Sequence, residues 1–556
     1  MRTTIYQLFV RHFSNTNPAR VVDGTIEQNG CGKFVEITTK ALSEIKKMGF
    51  SHVWLTGVLE QSSATSYLNI PADDPLLLKG KAGSPYAIRD YFDVSPDYAI
   101  EPDNRLEEFA ELLDRCHEAD LKVIIDFVPN HVSRSYHSDI QPDLNFGESD
   151  DPSRFFAWNN NFYYLEGDGP MYLPGGIYDA EGRGRVTGNN AATWNPSLSD
   201  WYETVKLNYG HDYTKGRDTQ SLPEAEARLD EVPDTWVKMD AILAYWQEMG
   251  VDGFRCDMAH MVPVEFWAWV TRRARLRDQQ CYFMAEAYDG DPAKLTNKNV
   301  LEALLENGFD TVYDGDSYEL VKSMVEHGRN ATDLDELLWA TERRDRMLRY
   351  AENHDEVRLA SSHHWGGEGA RIGKAVTAYL SGVGPSPFMV YNGQEVGEVG
   401  DGDEGFAKDD GRSSIFDYGQ LPRLAAWVHE GVYDGGGLDE AQLALREWYV
   451  EWMNLMQEPA FVRGGVYGLN SANLENPRFA LAGEEPGKSL YAFLRHDPQS
   501  AQAFLVVINF NLHIDAEDVE ILFPDGVSEW LGAEVAKRVL VGDIEHCGVV
   551  VVQLAL

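Results

Sequence analysis

"DTWVKMDAILAYWQEMGVDGFRCDMAH", residues 234–260, holds a helix, a turn and a strand in one line. Apolar residues recur at helical spacing through residues 234–249, Gly250 supplies a stop, and 251–256 is a short apolar run of strand length. The run contains Arg255 and leads straight into Asp257. Burying charge costs free energy unless the charge is paired or used. A structural ion pair and a functional site both satisfy that condition, and the rest of the chain has to choose between them.

Working outward, the same alternation recurs. "TIYQLFV" (4–10) reads as a strand, 37–49 as a helix, "HVWLT" (52–56) as a strand, 105–120 as a helix and "KVIIDFV" (122–128) as a strand. After 251–256 come helix 263–277, strand 281–286, strand 310–314, helix 332–345, strand 347–353, helix 370–380, strand 387–391 and helix 439–457. Eight strands alternating with helices predict an α/β fold, a parallel (β/α)8 TIM barrel. Residues 132–233, rich in Asn, Gly, Pro and aromatics, break the alternation after strand three and are too long for a loop. They read as an inserted small domain. From about 460 onward, short alternating strands predict a C-terminal antiparallel β-sandwich. The expected division is 1–131 and 234–458 for the barrel, 132–233 for the insertion and 459–556 for the sandwich.

Lys plus Arg number 48 and Asp plus Glu 90, a net charge of −42 spread along 556 residues. Such a chain repels phosphate backbones and anionic lipid, which argues against nucleic-acid and membrane partners. The five cysteines have no Cys-x-x-Cys spacing, so neither a zinc site nor a disulfide frame is expected. No run approaches the roughly 20 apolar residues of a membrane span. The start, "MRTTIYQLFVRHFS", has no cleavage-site pattern. A cytoplasmic location is the expectation.

In a (β/α)8 barrel the chemistry sits at the C-terminal strand ends. Those ends carry Asp126, Asn130 and His131 in "DFVPNH", Arg255 and Asp257 in "GFRCDMAH", Glu286 in "MAEAY", and His354, Asp355 and Arg358 in "ENHDEVR". Tyr86 and Asp90 lie in the loop after strand two. Taken singly, a strand-end His or Glu is usually structural. Several acids on one rim with too few matching cations are not explained by packing. Opposed carboxylates suit glycosidic cleavage, in which one acid protonates the leaving oxygen and another attacks or shields the developing oxocarbenium ion. Arg255 beside Asp257 would keep that carboxylate ionised, and negative neighbours would keep Glu286 protonated.

These four motifs, in this order, resemble the α-amylase family of glycoside hydrolases, family 13. "GSPYAIRDYFDVSPDYA" resembles that family's tyrosine loop and "VYNGQEVGE" the segment after its eighth strand, so the likeness covers about residues 3–457. The resemblance implies Asp257 as nucleophile, Glu286 as acid/base and Asp355 as transition-state stabiliser. It implies Arg255, His131, His354 and Tyr86 at the cleaved bond, and Asp126 as a structural neighbour. It implies an α-glucan or maltooligosaccharide as partner and no organic cofactor. Calcium is the implied ion. His260 and Met261 replace the Lys-His pair that follows the nucleophile in many members, which leaves Asn130 as the candidate calcium ligand. His260 reads as a leaving-side sugar contact or as a surface or capping residue, and Arg358 as a sugar contact or the partner of Glu356 or Asp355. Gly83 stands where chain-end-specific members often carry Asp, which favours an open cleft and internal cleavage. Transglycosylation through the same intermediate is the alternative activity, and a non-catalytic glucan-binding protein is a third reading.

Overall fold

A computed structural model describes residues 2–339, 344–367 and 369–556. Eight parallel strands close on themselves: β1 (Thr4–Phe9), β2 (His52–Thr56), β3 (Lys122–Phe127), β4 (Gly253–Cys256), β5 (Tyr282–Ala285), β6 (Thr311–Tyr313), β7 (Met347–Tyr350) and β8 (Phe388–Tyr391), with β8 hydrogen-bonded back to β1. Their residues are almost all buried, because helices cover the outside and side chains fill the inside. The register that matters for the site is Arg255 on β4, opposite Asp126 on β3 and Met284 on β5.

The helix–turn–strand unit that began the sequence reading forms as written. Helix Asp234–Met249 ends at Gly250, whose φ of 106° lets its N–H turn back to the Trp246 and Gln247 carbonyls. The helix that closes the barrel, Glu440–Leu455, starts on a reciprocal cap: Asp439 Oδ1 accepts from Gln442 N, and Gln442 Oε1 accepts from Asp439 N.

Two barrel helices were not read from the sequence, Val300–Glu306 after β5 and Gly315–His327 after β6. The second begins directly at the strand end, where Asp314 caps Ser317 through both its N–H and its hydroxyl. Gly315 at the first helical position hides that start. The helix expected over 332–345 is instead a 3-10 turn, Ala331–Asp335, followed by Glu336–Trp339. Residues 340–343 of that span lie outside the described residues.

Between β3 and the helix at 234, strands His131–Ser133 and Thr204–Lys206 pair antiparallel, as do Met171–Leu173 and Gly176–Tyr178. Tyr163, Leu165, Met171, Leu173, Tyr178 and Val186 build a small core of their own there. At the C-terminus, β9 (Gly465–Gly468), β10 (Leu490–Asp497), β11 (Gln502–Asn509) and β14 (Val549–Gln553) form one antiparallel sheet, and β12 (Ala516–Leu522) pairs with β13 (Arg538–Ile544). Leu494, Leu505 and Val507 of the first sheet share a core with Val519, Ile521 and Ile544 of the second, which makes a sandwich. Its other face meets the barrel through Trp452, Phe461 and Phe504.

Candidate active site

Arg255 organises the C-terminal rim. It is fully buried, with Nη1 donating to Asp257 Oδ1 at 2.7 Å and lying 3.4 Å from Asp126 Oδ1. Its Nη2 lies 2.7 Å from Glu286 Oε2, a charge contact without the alignment of a hydrogen bond. The rings of Trp54 and Tyr86 stand 5.2 Å from the guanidinium carbon. Burial works against the charge on Arg255, but Glu286, then the Tyr86 and Tyr313 hydroxyls and Asp257, outweigh it and raise its pKa further. The guanidinium is a permanent cation joining three carboxylates from three neighbouring strands.

Asp126 is held from the other side by Trp54 Nε1 at 3.2 Å and the Gly57 N–H at 2.8 Å. Glu286 Oε2 accepts from the Met258 N–H at 3.0 Å, and Tyr288 Oη donates to Oε1 at 3.2 Å. Met258 reaches Glu286 from a left-handed backbone, φ 45°, which costs a methionine about 1 kcal/mol or more. That strain sits immediately after Asp257. Burial pushes the Asp257 carboxyl well up, Arg255 pulls it down, and the neighbouring Glu286 pushes it up again. Asp257 Oδ2 is buried with no partner among the described residues.

Asp355 is the rim acid that opens to solvent, with 46% of its side chain exposed. Burial works to raise it, but the His354 ring, with Nε2 at 3.0 Å from Oδ2, outweighs burial and holds the carboxyl down to about 2. His354 is fixed by Gln7 Nε2 at 2.8 Å from Nδ1 and by the Tyr86 hydroxyl at 2.5 Å from Nε2. Tyr86 stacks on that imidazole with ring centroids 5.3 Å apart. His131 is pulled down to about 3 by burial, then by Lys206 and Lys79, and its remaining bond is to the Tyr86 main chain. It is a neutral imidazole at any ordinary pH.

The structure brings together Asp126, Arg255, Asp257, Glu286, His354, Asp355 and Tyr86, with His131 behind Tyr86. Two expected contacts fall elsewhere. His260 is fully buried, neither surface nor cap, and its Nε2 is spent on Asp291 Oδ2 at 3.0 Å. Arg358 is fully buried too, and its acid is Glu352, at 2.8 Å, in place of the expected Glu356 or Asp355. It also donates to Ser413 Oγ and the Asn392 carbonyl, so it braces the loop beyond β8. The residues that sequence reasoning missed are Trp54, Gln7, Tyr288 and Tyr313. Gln7 is a polar residue inside the otherwise apolar run Ile5–Phe9 of β1, and that is the signal that marks it.

A cavity of about 830 Å³ lies between Trp448 of the closing helix and the turn at His546–Gly548, and none of these carboxylates lines it. Chemistry and not volume locates the site.

A family model described as "Alpha amylase, catalytic domain" matches residues 7–418. The chain belongs to the alpha-amylase family. It is 23% identical over 414 residues to Alpha-amylase MalA of Haloarcula japonica, a match over 72% of this chain and 45% of that protein. It is 26% identical over 270 residues to a cyclomaltodextrin glucanotransferase of Bacillus sp. (strain 1011), over 47% of this chain and 31% of that one. The chain thus spans less than half the length of these two curated relatives. Among solved structures, the cyclic alpha-maltosyl-(1→6)-maltose hydrolase of Arthrobacter globiformis superposes with a TM-score of 0.63 at 17% identity, covering 100% of this chain and 98% of that one. Among the described residues, no helix is long and apolar enough to cross a membrane.

Calcium, the ion that alpha-amylase family membership suggests, needs six to eight oxygen ligands with carboxylates among them. Asn130 does not offer such a place, because its Oδ1 already accepts from the Lys206 ammonium at 2.7 Å. A group of possible ligands stands elsewhere: atoms of His363, Asp401 and Asp409 lie within 4.8 Å of one another on partly exposed loops after β7 and β8. An imidazole with two carboxylates suits a transition metal better than calcium.

Proposed function

We propose that this family member is a retaining glycoside hydrolase that cleaves α-1,4-glucosidic bonds inside starch-like glucans or maltooligosaccharides. The observation that carries the reading is the Arg255 bridge, which holds Asp257 and Glu286 each 2.7 Å from one guanidinium. That geometry is on the scale of the roughly 5 Å separation that retaining chemistry uses. The aligned hydrogen bond goes to Asp257, which supports Asp257 as the attacking carboxylate and leaves Glu286, met by Arg255 only as a charge contact, for the acid's part.

The unpartnered Asp257 Oδ2 attacks the anomeric carbon, the carbon–oxygen bond breaks, and its electron pair leaves with the glycosidic oxygen, which takes the Glu286 proton. Glu286 then removes a proton from water as that oxygen attacks the same carbon and frees Asp257. Asp355, held ionised by His354, accepts hydrogen bonds from ring hydroxyls, and Tyr86 closes the floor. Gly83 supports internal cleavage. At φ 68° a Cβ there would stand 1.8 Å from the Ser62 carbonyl, so no side chain can close the cleft from that position. The same reading divides the chain at 131, 233 and 458, supported by the separate small core of the insertion and the core of the C-terminal sandwich.

The test is Glu286→Gln assayed on maltoheptaose. Turnover should fall roughly 10³-fold or more while oligosaccharide binding persists. Near-normal turnover in that variant would refute the assignment. The glucanotransferase relative favours a second reading, transfer of the glycosyl unit to a sugar hydroxyl. Products longer than the substrate would establish transfer, and only shorter ones hydrolysis.

A further inference from the structure

We propose that Lys206 supplies, as a side-chain ammonium, the positive charge that joins the end of β3 to the inserted segment, and that this place takes no divalent ion. Asn130, three residues after β3, is 1% exposed, and its side-chain amide and its carbonyl are all spent. Oδ1 accepts from Lys206 Nζ at 2.7 Å, Nδ2 donates to the Gly188 carbonyl at 2.8 Å and lies 3.2 Å from His131 Nδ1, and its carbonyl accepts from Leu207 N at 2.9 Å. Lys206 ends strand Thr204–Lys206 and stands directly opposite His131 in the antiparallel pair. Its Nζ also lies 5.6 Å from the centre of the Tyr213 ring, on the face that attracts cations.

The surroundings suit one monovalent cation and exclude calcium. Among the described residues no carboxylate pairs with Lys206, so nothing there would neutralise a doubly charged ion. Adding such an ion beside a fixed ammonium at contact distance would set like charges together in a buried place. Burial alone draws the ammonium down to about 7, with no acid opposing it. The amide oxygen and the tyrosine face are what solvate the charge.

The ammonium also decides how the Asn130 amide lies. With Oδ1 held by Lys206, Nδ2 is the atom presented to His131 Nδ1. That nitrogen accepts, so the imidazole proton sits on Nε2, towards the Tyr86 main chain. Lys206 is therefore a positioning residue for His131 and, through it, for the Tyr86 loop.

The experiment uses the full-length protein stripped with EDTA and melted with calcium or with magnesium at equal ionic strength. The two ions should shift the melting temperature alike, to within about 1 °C. A rise specific to calcium that Asn130→Ala abolishes would overturn the proposal. In the second arm, Lys206→Met should lose roughly tenfold or more in kcat/KM, the scale of one charge-assisted hydrogen bond. Calcium should not restore it, and Lys206→Arg should recover most of the loss. Full activity in Lys206→Met, or its rescue by calcium, would equally refute the assignment. Lys206→Asp, which places a carboxylate beside Asn130, should acquire a calcium-dependent melting temperature that the parent lacks. This last readout is independent of the substrate, so it stands whatever the protein hydrolyses.

Discussion

At the scale of the residue, the charges inside the apolar run 251–256 turn out to be both paired and usable. Arg255 is neutralised by acids that the proposed mechanism needs, so under that proposal the structural and functional readings coincide in one side chain. A lysine keeps the charge but offers a compact ammonium without the planar fork. Arg255→Lys should therefore leave Asp257 or Glu286 without its contact, lowering kcat by about 100-fold or more with a smaller change in KM. Steady-state kinetics on a maltooligosaccharide decide it, and an unchanged kcat would show that the bridge is only structural. What the sequence revealed at this scale follows from chemistry. Acids and histidines at strand ends have no packing reason to be there, so Asp257, Glu286, Asp355 and His354 stood out. Trp54 and Tyr313 did not, because an aromatic in a barrel strand looks like core. His260 was misread because its partner, Asp291, lies 31 residues away, beyond any local pattern.

The element that steadies the Tyr86 loop is the hairpin Leu59–Gln61 with Ile88–Val94, in which Glu60 faces Asp90. Burial, reinforced by Asp93, raises Glu60 to about 8, and burial raises Asp90 to about 7. Unfolded, both titrate near 4. The folded state thus binds more protons than the unfolded state between about pH 4 and the upper values of 7 and 8. Stability contributed by these groups is present at low pH and is lost as pH rises through that window. Glu60→Gln should flatten the decline, so its melting temperature should drop less than the parent's between pH 5 and pH 8. Parallel curves would show that Glu60 does not titrate there. This hairpin lay unread in the sequence because Leu59–Gln61 is only three residues long and Ile88–Val94 is buried at nearly every position, so neither strand shows period-two alternation. The long barrel units were legible for the opposite reason: strands buried on both faces, separated by helices with glycine stops, repeat often enough to fix the fold. The helix at Gly315–His327 escaped because only Asp314 separates it from the strand and the helix opens on a glycine, a poor helix former.

For the whole molecule, the governing quantity is the net charge of −42, which charges the folded surface against itself. Ion pairs such as Lys537–Asp525, both largely exposed, offset little of it. Salt shortens the range of that repulsion to about 10 Å at 0.1 M and about 3 Å at 1 M. The Arg255 cluster is shielded from solvent and responds far less. The melting temperature should therefore climb by several degrees between low salt and about 1 M sodium chloride, and potassium chloride should do the same if screening is the cause. A glucan carries no charge, so no long-range attraction steers it and the KM for a maltooligosaccharide should stay flat over the same range. Calorimetry and kinetics on one preparation separate the two effects. A melting temperature that falls with salt would mean that attractive ion pairs outweigh the acidic excess, and a KM that moves with it would mean that the charge reaches into the cleft.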